Sequence, residues 1–457
     1  MQTKQLSLDN LLQQLTEQNT EKVKIAITDT DGVLRGKMIS FEKFISIVEK
    51  GFGFCNVVFG WDAADAAYDN AQYTGWHSGY PDATAVIDIN TFRQIPWEDD
   101  TPFFLADFKD AKGQNLGICP RSLLKKITQQ ALDAGFTPYC SQEFEWFNVM
   151  DNSDEWYKNK FSNIKPITQG MFGYSLLRAA EKNNYFHDLF DGLKKIGVPL
   201  EGLHTETGPG VYEAAITYSE IVEAADRAVL FKSSVKQIAK QHGIIATFMA
   251  KFNETLPGCS GHIHQSLWDA GRKQNLFYDK KTKTNISSLM ESYMAGQLYC
   301  MPLILPLFAP TVNSYKRLVE GAWAPTTLTW GIDNRTTALR ALPGSISSTR
   351  LETRVVGSDS NPYLAMAACL ASGLYGIKNK MKLKTTATAG NGYTDIKNGV
   401  LPKNLWEASQ AMKSSGVAKE LFGDIFVNHF VATREWEWQQ YMKVVTDWEL
   451  KRYLEII

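Results

Sequence analysis

The spacing of apolar residues changes character along the chain. From residue 21 to 110, short apolar runs such as VKIAITD, FCNVVF and TAVIDI alternate with turn residues, the pattern of strands joined by loops. They predict a small β-rich unit. From Pro120 the spacing turns helical in RSLLKKITQQALDAG, closes on Gly135, and gives way to a strand-like run, TPYCSQEFEWFNVM. The boundary falls near residue 112, which divides the chain into domains 1–112 and 113–457. A long helix is predicted over about Ser219 to His242, stopped by Gly243, followed by strands in IIATFMAKF and HIHQSLW. The segment NPYLAMAACLASGLYGI is apolar on nearly every side and predicts a helix buried in the body of the protein. The C-terminal region, ending in WELKRYLEII, reads as mostly helical.

The most apolar stretch, Tyr293 to Pro310, is interrupted by Pro302, Pro306 and Pro310, so it predicts buried core and not a membrane span of ~20 apolar residues. The N-terminal MQTKQLSLDNLLQQLTEQN is polar and helix-patterned, without the apolar core of an export signal. At roughly 150 residues per domain, 457 residues are about three domains' worth of chain, or one large α/β catalytic unit with a smaller attachment. Lys plus Arg number 48 against 49 Asp plus Glu, a net charge of -1 that gives no global field for nucleic acid or an anionic membrane. The six cysteines lie far apart with no C-x-x-C pair, which suits a reducing compartment and predicts a cytoplasmic protein.

Candidate chemistry sits in residues two apart within strand-like runs: Glu143 and Glu145, His262 and His264, Glu352 and Arg354. Period two aims each pair at one face of a sheet. Carboxylates aimed together from apolar strands repel one another, and a bound cation resolves the conflict. Glu206 and Glu213 flank a GPG turn that can fold both toward one point. Oxygen-rich sets of this kind suit Mg²⁺ or Mn²⁺ better than zinc. Taken singly, Glu-x-Glu is ordinarily a solvated strand face and His-x-His a hydrogen-bonded pair; the combination is more specific. Arg317, Arg335, Arg340, Arg350 and Arg354 add guanidinium forks that match phosphate oxygens, as phosphoryl transfer beside metals requires. No G-x-x-x-x-G-K-[ST] loop exists, and GFGFCN fails the dinucleotide pattern at its last position.

Over nearly its whole length the chain resembles the glutamine synthetase family. The resemblance rests on SQEFEWF, HTETGPGVYEAA, ATFMAKFNETLPGCSGHIHQSLWD, PTVNSYKRLVEGAWAPTTLTWGIDNRTTALR, RLETRVVGSDSNPYLAMAA and VTDWELKRYLEII. It implies an α+β architecture: a small N-terminal β-grasp domain followed by a large catalytic α/β domain. It also implies a homo-oligomer, a dodecamer of two hexameric rings with active sites between neighbouring subunits. Matched position by position, Glu145, Glu206 and Glu213 are implied as ligands of a first metal, and Glu143, His262 and Glu352 of a second. Arg335 and Arg340 are implied as the phosphate clamp, and His264, Ser266 and Arg350 as contacts to ATP. Gly258, Arg317 and Arg354 are implied as contacts to the acid substrate, glutamate or a similar acid.

The departures gather on the acceptor side. The flap glutamate that helps deprotonate ammonium in glutamine synthetases, six residues after the Arg of SYKRL, is Trp323 here. The F-D-G-S-S element has no clean counterpart, because FGWDAAD places Asp62 and Asp65 at other offsets; Pro257 stands where an Asn contacts glutamate, and the region of the adenylylated tyrosine falls near Trp406. An indole has no titratable base, yet its face attracts a substituted ammonium. The expectation is therefore an ATP-dependent ligase that forms an acyl phosphate attacked by an organic amine, with Arg317, Arg335 and Trp323 in the catalytic set. Glu320 or Asp62 as a replacement base keeps ammonia, and hence glutamine synthesis, as the alternative. A non-catalytic relative is the third reading, against which the retained ligand positions argue.

Overall fold

The computed structural model describes residues 7–457. Its N-terminal part comprises α1 (Leu8–Glu17), β1 (Lys22–Thr28), β2 (Leu34–Ser40), α2 (Phe41–Ile47), β3 (Phe52–Cys55), β4 (Asp82–Ile95) and β5 (Thr101–Lys109). The strands form one sheet in the order β2-β1-β5-β4-β3, with β1 and β5 parallel and the other pairs antiparallel, a β-grasp arrangement. Leu11 and Leu15 of α1 and Phe41, Phe44 and Ile47 of α2 close over Ile25, Ile27, Phe104 and Phe108 to make a separate core. The α2 helix lies in a stretch that reads as strands and loops. Its 7 residues are too few for periodicity to stand out, and Ser40, whose hydroxyl accepts from the Lys43 N–H, starts it.

The larger part runs α3 (Pro120–Asp133), β6 (Phe136–Met150), α4 (Ser153–Lys158), α5 (Leu176–Glu181), α6 (Asn183–Lys195), β7 (Leu200–Thr205), β8 (Val211–Ile216), β9 (Ser219–Glu220), α7 (Ile221–Gln241), β10 (Ile244–Thr247) and β11 (Gly261–Asp269). It continues with α8 (Ser288–Ile304), α9 (Ser314–Arg317), β12 (Trp330–Ile332), β13 (Leu339–Leu342), β14 (Arg350–Thr353), α10 (Pro362–Lys378), α11 (Leu405–Ser414), α12 (Gly416–Phe422), α13 (Asp424–Met442) and α14 (Asp447–Tyr453). The main sheet follows the order β12-β13-β14-β11-β6-β8-β7, with β9 and β10 also paired to β6. The fold is thus α+β, a β-grasp unit followed by a larger α/β unit, in the order that the resemblance implies. We propose that the two units meet between Lys109 and Pro120, around the expected boundary at 112.

β6 anchors this sheet, and its two faces have opposite chemistry. Phe144 and Trp146 are fully buried and pack against Phe231 of α7, with ring centroids 5.4 Å and 5.5 Å away, and against Phe248. Alternation then turns Glu143 and Glu145 to the other face. α7 starts two residues later than its sequence pattern predicts because Ser219 and Glu220 pair with Cys140 and Tyr139 of β6. The strand in IIATFMAKF likewise ends at Thr247, freeing Phe248 to turn into the aromatic cluster.

α10 is buried along most of its length against α3, α7 and α8, as its all-round apolar pattern predicts. It meets α8 where Gly296 faces Gly376. A Cβ on Gly296 would lie 2.6 Å from the Gly376 Cα, so the two backbones approach as only glycines allow. Residues Tyr293–Pro310 do form core, with Pro302 inside α8. Arg121 of α3 ties the two units together, donating to Asp226 of α7 at 2.8 and 2.9 Å and to Asp107 of β5 at 2.8 Å. All six cysteines are free thiols, and among the described residues no helix is long and apolar enough to cross a membrane.

Candidate active site

Strand register assembles the site. Across β7, β8 and β6, His204 faces Glu213 and Glu213 faces Glu145. One pleat further along, Glu143 faces His262, while His264 faces Glu352 and Glu352 faces Arg340. Directly opposed residues in a sheet point to the same side, so all these side chains share the face opposite Phe144 and Trp146.

They form two groups. Glu143, His264 and Glu352 each offer a ligand atom within 4.8 Å of the others, and so do His204, Glu206 and Glu213. His264 Nε2 lies 3.4 Å from Glu143 Oε2, and His262 Nδ1 lies 3.4 Å from both Glu143 Oε1 and Glu352 Oε1. His262 is therefore adjacent to the first group. In the second, His204 Nε2 is 3.3 Å and Nδ1 3.9 Å from the carboxylates of Glu213 and Glu206. Glu145 stands opposite Glu213, and its Oε2 accepts the Ser260 N–H at 2.7 Å. His204, stacked on Tyr174 at 4.4 Å, is the member that sequence reasoning missed. Its signal was present in the H-T-E spacing, the same two-residue step as Glu143 and Glu145.

The electrostatics fit a divalent cation. Burial, then the carboxylates of Glu143, Glu145 and Glu206, push the Glu213 carboxyl up to about 11. That is mutual repulsion among acids that positive charge would relieve. Burial also opposes charge on Glu352, but His264, His262 and Arg354 outweigh it and hold this carboxyl down at about 2. Glu143 is likewise held far below the carboxylate range, against burial, by hydrogen bonds from His262 and His264. Burial and the charge of Arg354 keep His262 below its ordinary value, favouring the neutral imidazole that binds metals. Its Nε2 is buried and has no hydrogen-bond partner among the described residues. Carboxylates with an orphaned imidazole nitrogen form a donor set suited to Mg²⁺ or Mn²⁺.

The arginines divide by environment. Arg340 Nη1 donates to Glu352 Oε2 at 2.9 Å, and Arg354 Nη1 donates to the other oxygen of the same carboxylate. Arg317, 2% exposed, donates to the carbonyls of Val355 and Arg354 at 3.1 Å, and burial lowers its affinity for the proton. Gly258 is packed against it: a Cβ there would lie 2.7 Å from Arg317 Cγ. Arg335 is exposed, and its carbonyl accepts Arg354 Nε at 3.0 Å. His264, Ser266 and Arg350 line one cavity of about 370 Å³ with Glu143, Tyr139 and Trp268. There Arg350 Nε donates to His264 Nδ1 at 3.3 Å and Trp268 Nε1 donates to Ser266 Oγ at 3.0 Å.

The flap is open to solvent. Trp323 is 61% exposed with φ 56°, an uncommon backbone conformation for a bulky residue. Glu320 is exposed, and the Tyr393 hydroxyl lies against the Trp323 backbone within the fields of Arg354, Arg317 and Glu320. Asp62 is not gathered with these groups. Its carboxylate accepts the N–H groups of Ala64 and Ala66 at 2.9 Å, and Asp65 pairs with Arg35 at 2.7 Å. Trp406 lies at the start of α11.

This fold, with its carboxylate-and-imidazole face beside arginines, defines a class: ATP-dependent ligases that join a carboxyl group to nitrogen. The family model described as "Glutamine synthetase, catalytic domain" matches residues 117–453, and the chain belongs to the glutamine synthetase family. It is 51% identical over 452 residues to Type-1 glutamine synthetase 2 of Dictyostelium discoideum, spanning 98% of this chain and 86% of that one. It is 35% identical over 446 residues to the glutamate–isopropylamine ligase of a Pseudomonas species, spanning 97% of each. Among solved structures it resembles a GmaS–ADP complex, with TM-score 0.85 and 27% identity over 97% of this chain and 99% of that chain.

Proposed function

We propose that the protein makes γ-glutamylamides: it phosphorylates the side-chain carboxylate of glutamate with ATP and transfers the acyl group to an organic amine. The observation that carries this reading is Trp323, an exposed indole at the flap position where the ammonia-using members hold a glutamate. The glutamate–isopropylamine ligase, a relative whose name specifies an alkylamine, is consistent with it.

In this reading Glu145, Glu206, Glu213 and His204 hold one divalent cation, and Glu143, His262, His264 and Glu352 a second. Bound there, Mg²⁺ or Mn²⁺ supplies positive charge to the phosphate oxygens. The cavity at His264, Ser266 and Arg350 takes ATP, and Arg335 and Arg340 steady the moving phosphoryl group. Arg317, Arg354 and the Gly258 backbone hold the acid. A glutamate side-chain oxygen attacks the γ-phosphorus and ADP leaves; the amine nitrogen then attacks the acyl carbon and phosphate leaves. The amine's ammonium rests on the Trp323 face and gives a proton to Glu320, three residues away, which frees the nitrogen lone pair for attack; the second N–H proton, lost as the amide forms, leaves with the phosphate. Like its relatives' family at large, the chain acts as a ring-forming homo-oligomer, and its free cysteines suit the cytoplasm.

Glutamine synthesis is the second reading, favoured by the 51% identity to a protein named glutamine synthetase. A single panel separates the two: phosphate release from ATP with Mg²⁺ and glutamate, measured with ammonia, methylamine, ethanolamine, putrescine and aromatic amines. An organic amine should give the largest kcat/KM. Ammonia leading the panel would overturn the proposal in favour of the second reading.

A further inference from the structure

Behind the carboxylate face, the two strands that carry His264 and Glu352 bury polar residues of their own. The inward side of β11 reads Ile263, Gln265, Leu267, and that of β14 reads Leu351, Thr353; none of the five is more than 3% exposed. Gln265 Nε2 donates to Thr353 Oγ1 at 2.7 Å, Thr353 Oγ1 donates to Gln297 Oε1 at 2.9 Å, and Gln297 Nε2 donates back to Gln265 Oε1 at 2.8 Å. The three side chains close a hydrogen-bonded ring across β11, β14 and α8. Tyr293, one turn before Gln297 on α8, gives its hydroxyl proton to the same Gln265 oxygen at 2.7 Å, and Gln297 Nε2 also reaches the Cys369 carbonyl of α10 at 2.9 Å.

Burial alone does not call for such a ring, since aliphatic side chains of similar size fill an apolar layer without any desolvation cost. What the ring supplies is register. A one-residue slip between β11 and β14 is already forbidden, because it would exchange the buried face for the charged one. A slip of two residues moves β14 by about 6.8 Å but keeps the alternation, setting Leu351 or the equally buried Val355 where Thr353 stands. Apolar packing does not separate these registers. The ring does, because a displaced Thr353 leaves two interior amides without their partner.

The active face inherits that choice. Ile263 is opposite Thr353 and Gln265 is opposite Leu351, so the Gln265–Thr353 bond runs diagonally behind the facing pair His264 and Glu352. We propose that Gln265, Thr353 and Gln297 are positioning residues for the second cation site: their ring locks the β11–β14 register and thereby sets His264 against Glu352. This rests on the reading that Glu143, His264 and Glu352 hold a cation. The other group, His204, Glu206 and Glu213, lies on β7, β8 and the turn between them and serves as an internal reference.

Variants of the full-length protein test this by Mn²⁺ titration with electron paramagnetic resonance, by thermal unfolding without cation, and by hydrogen exchange of the β14 amides. The class of Mn²⁺ lost in Glu352→Ala marks the second site. Thr353→Val opens the ring and should weaken that site by about tenfold or more, whereas Thr353→Ser keeps the hydroxyl and should stay within about twofold of wild type. An all-apolar form, Gln265→Met with Gln297→Met, Thr353→Val and Tyr293→Phe, leaves no amide or phenol unpaired and should unfold at or above the wild-type temperature. It should nevertheless bind the second cation about tenfold or more weakly and exchange its β14 amides faster. Affinity at the reference group should hold within about twofold throughout. Wild-type affinity and exchange in the all-apolar form would overturn the proposal. So would failure of Thr353→Ser to restore what Thr353→Val loses, or equal losses at both groups. If the wild type binds no second Mn²⁺, the cation reading falls and the β14 exchange alone decides on the lock, faster supporting it and unchanged overturning it.

Discussion

His204 and Glu213 face each other across the β7–β8 pair, with Nε2 3.3 Å from Oε1. The imidazole thereby joins a carboxylate cluster that neither strand builds alone. Replacing it by Gln should weaken divalent-cation affinity by about 10- to 100-fold while leaving the fold intact, the range for groups that support rather than dominate a metal site. Titration of Mn²⁺ followed by electron paramagnetic resonance reads this directly; an unchanged affinity would place His204 outside the cation site.

Glu352→Ala should be more severe. This carboxylate is 1% exposed and accepts from both Arg340 and Arg354, so its loss also leaves Arg354 without a carboxylate partner and Arg340 with Asp333 alone. Phosphate release should fall by more than about 100-fold, beyond the range for supporting groups.

Cation binding should release protons. Without a cation the Glu213 carboxyl sits at about 11, so it is protonated at neutral pH and ionises in the unfolded chain at its ordinary 4.5. A raised folded value contributes stability that is complete below 4.5 and is lost as pH rises toward 11. A cation needs the ionised form and reverses the loss. The rise in Tm on adding Mg²⁺ should therefore grow between pH 6 and 8, and calorimetry in buffers of different ionisation enthalpy should detect proton release. A pH-independent Tm rise would remove Glu213 from the cation site.

Trp323→Ala should change amine preference more than turnover. Loss of a cation–π contact worth ~0.5 to 2 kcal/mol raises KM for an organic amine by about 2- to 30-fold, with a smaller effect on ammonia. Parallel losses for both nucleophiles would mean that the indole shapes the flap rather than the acceptor pocket.

Arg121→Ala should loosen the two units from each other. The guanidinium is almost fully buried between Asp107 and Asp226, and removing one partner of such a network destabilises by about 3–5 kcal/mol. Although burial opposes it, Arg121 and Lys125 hold the Asp107 carboxyl below its ordinary value of 3.8. A depressed folded value gives stability that is present above 3.8 and lost as pH falls below it. Wild-type denaturation curves should show an acid-labile component there that is smaller in the variant, where Lys125 alone still faces Asp107.

Much of this was legible in the one-dimensional pattern. The steps Glu143–Glu145 and His262–His264 announce a shared face because strand alternation is local, and α10 announces burial because its apolar residues leave no polar side. The H-T-E step pointed His204 and Glu206 to one face, but the contact of His204 with Glu213 depends on hairpin register, a relation across strands that this spacing does not express. The unusual φ of Trp323 depends on the flap's own path, and the early end of β10 on the pull of Phe248 toward Phe144 and Trp146. The pairing of His264 with Glu352 and Glu143 also shows that one imidazole can border both a nucleotide cavity and the acidic group, which one-to-one motif matching keeps apart.

The alternation along β6 leaves no tolerance for misalignment. A slip of a single position against β8 and β11 would plunge Glu143 and Glu145 into the aromatic layer over α7 and push Phe144 and Trp146 into water. Correct assembly and chemical competence are consequently one event: a chain that has sealed its oily interior has, in the same motion, set out its acids for work.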